Sequence, residues 1–357
     1  MAELQSRMQS LDGLRAISIL LVVTSHAWLG HVIPGGLGVT IFFFISGFII
    51  TRVLLAEYEA NGKISIQKFY FRRFFRLMPA LLVYLLLALL MMSLTGQPLK
   101  LIDFAAVLFY FSNYYQVFVG FAHETLTSPL RITWSLAIEE HYYFVYPALF
   151  ALMVGRWRAF LAAIAACVIA VLCWRLYLVA DLGISDFTLS RIYMGTDTRV
   201  DSIFYGAGLA LLCVHSRRAQ ESLMRAGPFW AGMALLLSTL LVRSDVFRET
   251  IRYSLQGVAL LLLFNRLLFV DGVFCRLLST PLMSYIGRIS YSLYLYHWLV
   301  LGLVAMWMPE YRLPAKWAVF LPLSFLCAHL SYTYIEKPFL HLGRILLTRK
   351  QPLGLAS

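Results

Sequence analysis

Apolar residues fill this 357-residue chain in blocks, with polar residues largely confined between them. A helix needs roughly 20 apolar residues to cross the hydrocarbon core of a bilayer. Blocks of that kind predict spans over 14–33, 36–56, 77–95, 134–154, 159–180, 198–215, 227–243, 251–270, 283–307 and 315–335. One further apolar segment, 101–119, is ambiguous, because it is rich in aromatics and carries Asn113 and Gln116. The pattern predicts an all-α, polytopic membrane protein with about ten transmembrane helices, since an open chain satisfies its backbone polar groups in lipid only as helix.

Charge arbitrates the ambiguous segment. With the N-terminus in the cytoplasm, the second loop is cytoplasmic too, and it carries Lys63, Lys68, Arg72, Arg73 and Arg76. That agrees with the positive-inside rule. If 101–119 crossed, Arg156, Arg158, Arg217, Arg218, Arg225, Arg344, Arg349 and Lys350 would all face outward; if it is re-entrant or interfacial, all eight face inward. The expectation is therefore ten spans, one re-entrant or interfacial helix, and both termini cytoplasmic. The outward loops become 96–133, 181–197, 244–250 and 308–314, and the long first one is the natural place for an acceptor to dock. A transmembrane domain over 1–340 is followed by a short basic tail, 341–357. The first apolar stretch is long and retains polar residues, so it reads as a span and not as a signal peptide.

Composition strengthens this picture. Hydrophobic residues make up 61% of the chain and charged residues 13%, against about 45–50% and about 25% in soluble domains. Lipid must be the main solvent. Aromatics reach 15%, which suits interfacial belts of Trp and Tyr. The formal net charge of +12 sits in short loops, so topology explains it and no nucleic-acid partner is expected. The five cysteines lie in or beside apolar segments without a CxxC pair; they read as small core residues, and no metal is expected.

Polar residues inside spans are costly and usually functional. Arg15 and His26 are eleven residues apart in the first span, on one helical face and separated by a rise of about 16 Å. A cation at the mouth and an imidazole deep inside fit a long, anionic-headed substrate; a snorkelling arginine and a packed histidine fit as well. Gly35-Gly36-Leu37-Gly38 and Phe42 to Gly47 read as a turn and a packing face. Arg73 and Arg76, one turn apart before Pro79, suit either a phosphate clamp or an anionic-lipid contact. Trp134-Ser135 leads into Glu139-Glu140-His141-Tyr142-Tyr143, where two adjacent carboxylates at a membrane entrance are hard to excuse as packing. They point about 100° apart, so only one is placed to line a cavity. Asp197, Arg199 and Asp201 open the sixth span, with Arg199 expected to pair with an aspartate. Ser290, Tyr294 and His297 share a face of the ninth span.

Together and in this order, these pieces resemble the membrane proteins of acyltransferase family three, over about residues 11–340. Arg15 and His26 match the family's arginine, ten residues, histidine pattern. Gly36 to Phe48 matches its glycine-rich, Phe-Phe, Ser-Gly-Phe run, and Arg73 and Arg76 its RxxR before proline. Thr133 to Tyr143 matches its TWSL-acidic-aromatic run, with His141 where glutamine is common. Asp197 to Asp201, Ser290 to Trp298 and Glu336 to Phe339 match its TDTRxD, SYSLYLxHW and EKPF runs. Many members also carry an extracytoplasmic hydrolase-like domain. None is expected here, so transfer would be completed alone or with a separate partner.

The resemblance implies an O-acyltransferase of the bacterial inner membrane. It would move an acyl group, usually acetyl, from cytoplasmic acyl-coenzyme A to a hydroxyl of an extracytoplasmic sugar, glycolipid or glycoside. On that expectation Arg15, Arg73 and Arg76 hold the phosphates of coenzyme A, its arm runs along the first span, and His26 is the general base. Glu139 or Glu140 orients the imidazole or the sugar. Trp134, Ser135, Tyr143, Asp197, Arg199, Asp201, Tyr294 and His297 are the candidate acceptor contacts. An acyl-histidine intermediate stays open as a competing scheme. The rival class is a secondary transporter or flippase, which would also bury Arg, His and Glu but has no use for a phosphate clamp.

Overall fold

The computed structural model of the chain describes residues 2–122 and 128–349. Part of the expected docking loop, 123–127, and the tail 350–357 with Lys350 lie outside the described residues, as does the side chain of Arg349. Every regular element among the described residues is helical. Helix α1 (Ala2–Thr24) runs into a π-helical turn, Ser25–Leu29, and is followed by α2 (Gly35–Asn61) and α3 (Ile66–Leu94). Two short helices come next, α4 (Leu101–Leu108) and α5 (Ser112–Phe118), then α6 (Trp134–Met153) and α7 (Trp157–Leu182). The chain continues through α8 (Asp186–Met194), α9 (Thr196–Arg199), α10 (Asp201–His215), α11 (Arg217–Leu223), α12 (Ala226–Leu241), α13 (Asp245–Glu249) and α14 (Ile251–Phe269). It ends with α15 (Val273–Leu278), α16 (Pro281–Arg288), α17 (Ser290–Trp307), α18 (Leu313–Ser331) and α19 (Lys337–Arg349).

Among the described residues, four helical stretches are long and apolar enough to cross a membrane: Gly35–Asn61, Ile66–Leu94, Arg131–Leu182 and Leu313–Thr348. Counting the bent pairs α11–α12 (62°) and α16–α17 (70°) as one span each makes six. The stretch Arg131–Leu182 contains two of the expected spans, α6 and α7. Other expected spans fall short for one of two physical reasons: polar side chains lower their apolar content, or the helix is too short. Helix α1 carries Asp12 and Arg15, α10 has only 15 residues, and α14 carries Arg252, Gln256, Asn265 and Arg266. The ambiguous segment 101–119 is two helices of 8 and 7 residues, neither able to cross. They break at Tyr110, which adopts φ +58°.

Helix α17 is buried almost all round, and α2 over most of its circumference; helices apolar on every side belong in a core. By contrast, α3 exposes Leu86 and Leu90, a surface suited to lipid. Helices α2 and α10 touch backbone to backbone. A Cβ on Gly47 would lie 1.9 Å from Ile203 O, and a Cβ on Gly206 would lie 1.9 Å from Phe44 O. Small residues are what permit such approach between apolar helices. Gly206→Ala is accordingly expected to destabilise the fold by about 1–3 kcal/mol, read as a lowered unfolding midpoint in detergent.

Candidate functional site

His26 lies on the π turn that interrupts the first expected span. Thr24 closes the regular helix by donating its hydroxyl to Leu20 O at 2.5 Å. The turn then widens, and Trp28 takes φ +64°, a left-handed conformation costly for a bulky side chain. Surrounding contacts hold it there. Trp28 packs edge-on to Phe320, with ring centroids 6.0 Å apart. Lys316 Nζ sits 5.5 Å above its ring. Trp317 Nε1 donates to Ala27 O at 3.1 Å, so the carbonyl freed by the break stays satisfied. Single π turns of this kind are frequent at functional sites.

His26 Nδ1 is 2.9 Å from His297 Nε2, with the ring planes 4° apart. The other nitrogen of His297, Nδ1, is 2.9 Å from Leu293 O. A carbonyl only accepts, so His297 Nδ1 carries the hydrogen. With both rings neutral, His297 Nε2 then accepts and His26 Nδ1–H donates. That network assigns the tautomers, and it leaves His26 Nε2 with its lone pair. Trp298 packs edge-on to His26 at 4.8 Å and donates its Nε1–H to Ser128 O at 2.7 Å.

His26 lines a cavity of about 520 Å³, with Arg131, Trp134, Tyr193, Tyr294 and Trp298 on its walls. A second cavity, of about 240 Å³, is lined by five arginines, Arg15, Arg72, Arg73, Arg76 and Arg344, and, among the described residues, by no carboxylate. A third, of about 100 Å³, lies between them. It shares Arg15, Ser46, Arg73, Arg76 and Tyr143 with the second and Val39 and Tyr294 with the first. The three cavities thus form one series, with Tyr294 and Val39 as the partition before His26. Ser135 Oγ is 2.6 Å from Tyr294 OH, which itself donates to Ile132 O at 2.9 Å.

The arginine end is held ready for an anion. Arg73 lies over the Tyr143 ring, 3.4 Å from its centroid, and its buried Nε and Nη2 have no hydrogen-bond partner. Tyr143 OH donates to Ser46 Oγ at 2.8 Å, and Ser46 donates to Glu139 Oε1 at 2.6 Å. Glu139 therefore supports the platform beneath Arg73 and faces the small cavity. Glu140, on another face of α6, lines none of the three. Arg15 pairs with Asp12 at 3.1 Å and Arg72 with Glu57 at 2.8 Å.

Residues 8–333 match the acyltransferase domain family. The chain belongs to acyltransferase family three. This acyltransferase-family chain is 30% identical over 344 residues to the O-acetyltransferase OatA of Staphylococcus aureus strain NCTC 8325, covering 92% of the chain and 56% of that relative. The same figures hold for OatA of strain COL. The chain spans a little over half the length of these relatives. No solved structure matches it.

Several sequence candidates lie elsewhere in this family member. Asp197 binds Arg191 through two hydrogen bonds, 2.9 and 2.5 Å, and also accepts from Tyr114 OH and Trp174 Nε1. It ties α5, α7, α8 and α9 together. Arg199 does not pair with an aspartate, as expected from spacing. It donates to Thr40 Oγ1 and Tyr193 O and lies 3.9 Å from the Tyr253 ring centroid. The reason is that Arg175, read only as part of a span, already holds Asp201 at 2.7 Å with both side chains fully buried. Asp197, Arg199 and Asp201 line none of the three cavities. His297 stands behind His26, also outside the cavity walls. No spacing pattern in the sequence marks Arg131, and charge alone marks Arg344 only as a loop residue.

Proposed function

We propose that this chain transfers an acyl group, acetyl in the first instance, from cytoplasmic acyl-coenzyme A to a hydroxyl of a glycan or glycolipid outside the bacterial inner membrane. The observation that carries the reading is the series of three cavities running from the arginines to His26. In this reading the chain has ten spans and both ends inside. That sidedness is supported by Arg344 and Arg72 at one end of the series, and by Leu189, Ser190 and Glu249 of the expected outward loops at the other.

Arg73, with its unpartnered buried nitrogens, and Arg15, Arg76 and Arg344 bind the phosphates of the donor. The thioester end reaches past Tyr294 into the His26 cavity. There the acceptor hydroxyl attacks the thioester carbonyl, forming the ester C–O bond as the C–S bond breaks. His26 Nε2 takes the hydroxyl proton and passes it to the departing thiolate. Arg131 is the cation on the same wall, available to the developing oxyanion. His297 is a positioning residue: it fixes the His26 tautomer that leaves Nε2 free. Glu139 acts at the donor end through Ser46 and Tyr143.

Detergent-purified protein is expected to bind acetyl-coenzyme A, and deletion of the gene to remove an ester-linked acyl mass from surface glycans by mass spectrometry. Transport of a lipid-linked substrate into vesicles, with no acetyl-coenzyme A binding, would favour the transporter or flippase instead. His297→Gln should slow transfer about tenfold or more, as part of the roughly 10²–10⁴-fold a general base contributes. KM for acetyl-coenzyme A should stay unchanged; a change in KM alone would return His297 to substrate contact.

A further inference from the structure

A fourth cavity adjoins the one that holds His26. Its volume is about 320 Å³, and the two share Gly35, Tyr193 and Glu249 as walls. It lies among the loop before α2, the end of α12, and the junction of α13 and α14. Three arginines line it, Arg243, Arg248 and Arg252, against one lining carboxylate, Glu249; Arg248 Nη1 also lies 3.6 Å from Asp245 Oδ1, which leaves three cations to two carboxylates. Glu249 is already engaged, accepting from Tyr253 OH at 2.8 Å with Arg252 Nη2 3.6 Å away. Arg252 Nε is buried without a hydrogen-bond partner.

Topology does not account for these arginines. On the proposed topology, basic residues of the inward loops follow the positive-inside rule, whereas Arg243, Arg248 and Arg252 fall in or beside the expected outward loop 244–250, where cations are disfavoured. Their excess over carboxylates in a concave site beside the proposed base is the signature of a receptor for negative charge. We infer that the hydroxyl-bearing acceptor also carries an anionic group, a carboxylate or a phosphate, and that Arg243, Arg248 and Arg252 hold it in the fourth cavity. The inference rests on the proposed role of the His26 cavity as the acceptor's reaction chamber. A planar guanidinium presents paired donors to either anion, so the shared chemistry is an oxyanion joined to a sugar.

The probes are methyl β-D-glucuronide, glucose 1-phosphate and neutral methyl β-D-glucoside, titrated into the detergent-purified full chain by calorimetry. At least one anionic probe should bind about tenfold or more tightly than the neutral one, and which one does so separates a uronate from a sugar phosphate. The double variant Arg243→Gln/Arg248→Gln should lose that preference, and Arg243→Lys/Arg248→Lys should keep most of it. Equal binding of all three probes, no binding of any, or a preference that survives the glutamine variant would each overturn the inference. Acetyl-coenzyme A titrated in parallel separates the two readings. Intact donor binding without anion preference removes only the anionic acceptor. Absent donor binding removes the donor assignment of the proposed function.

Discussion

His26→Ala is expected to cut acyl transfer by about 10²–10⁴-fold, the range a positioned general base supplies, while the protein still inserts and folds. The ring makes one side-chain hydrogen bond, to His297, and one edge contact, to Trp298, so little of the fold depends on it. The chemical loss is large because no other group on the cavity wall is placed to fill the role: Glu249, which also lines it, is engaged by Tyr253 OH at 2.8 Å and lies 3.6 Å from Arg252. Arg131, on the same wall, cannot accept a proton at neutral pH. Glu139 faces the separate small cavity beyond Tyr294 and is already engaged by Ser46. The check is complementation of a deletion strain with the variant, followed by mass spectrometry of its surface glycans and a blot for membrane-inserted protein. Near-normal acetylation by an inserted variant would remove His26 from the mechanism.

Arg73→Ala should weaken acetyl-coenzyme A binding about 10–100-fold. A hydrogen bond to a charged group contributes about 1.5–3 kcal/mol, and each 1.4 kcal/mol is about tenfold in affinity. Arg73 stands out among the five cavity arginines because its Nε and Nη2 are buried and unpartnered. An anion arriving there replaces no existing contact. Arg72, by contrast, is already paired with Glu57, so Arg72→Ala should have the smaller effect. Acetyl-pantetheine, which lacks the nucleotide phosphates, should bind the Arg73 variant and the parent chain alike. Calorimetry in detergent reads all three comparisons. Unchanged affinity for acetyl-coenzyme A in the Arg73 variant would reassign the basic first turns of α3, which the sequence places in a loop, to lipid anchoring.

The all-helical architecture, the placing of most apolar blocks, and the departure of 101–119 from a single long helix were legible from the apolar pattern, because those are local properties. The offset of Glu139 from Glu140 was also legible: one lines a cavity and the other does not, as helix geometry requires. Pairings across long sequence distances were not. Nothing in the spacing joins His26 to His297, 271 residues away, and the Ser290–Tyr294–His297 face alone suggested that His297 meets a substrate. Its partner is visible only once α1 breaks at Ser25–Leu29, and that break has no proline to announce it. Spacing likewise offers Arg199 an adjacent aspartate, whereas Asp197 is met by Arg191 and Asp201 by Arg175 from α7. Buried ion pairs follow packing, and packing decides among many arginines that spacing treats as equal.

The Tyr294 hydroxyl, clasped between Ser135 and the Ile132 carbonyl, has a consequence for the cell that hosts this protein. On the proposed route, reagents arrive from two faces, and an unobstructed passage between them would let ions leak and dissipate the proton-motive force. On that route a side chain latched by two neighbours would work as a bulkhead, which a slender thioester tether would have to displace to pass. Insulation of the membrane is then built into the same aromatic ring that admits the acyl group.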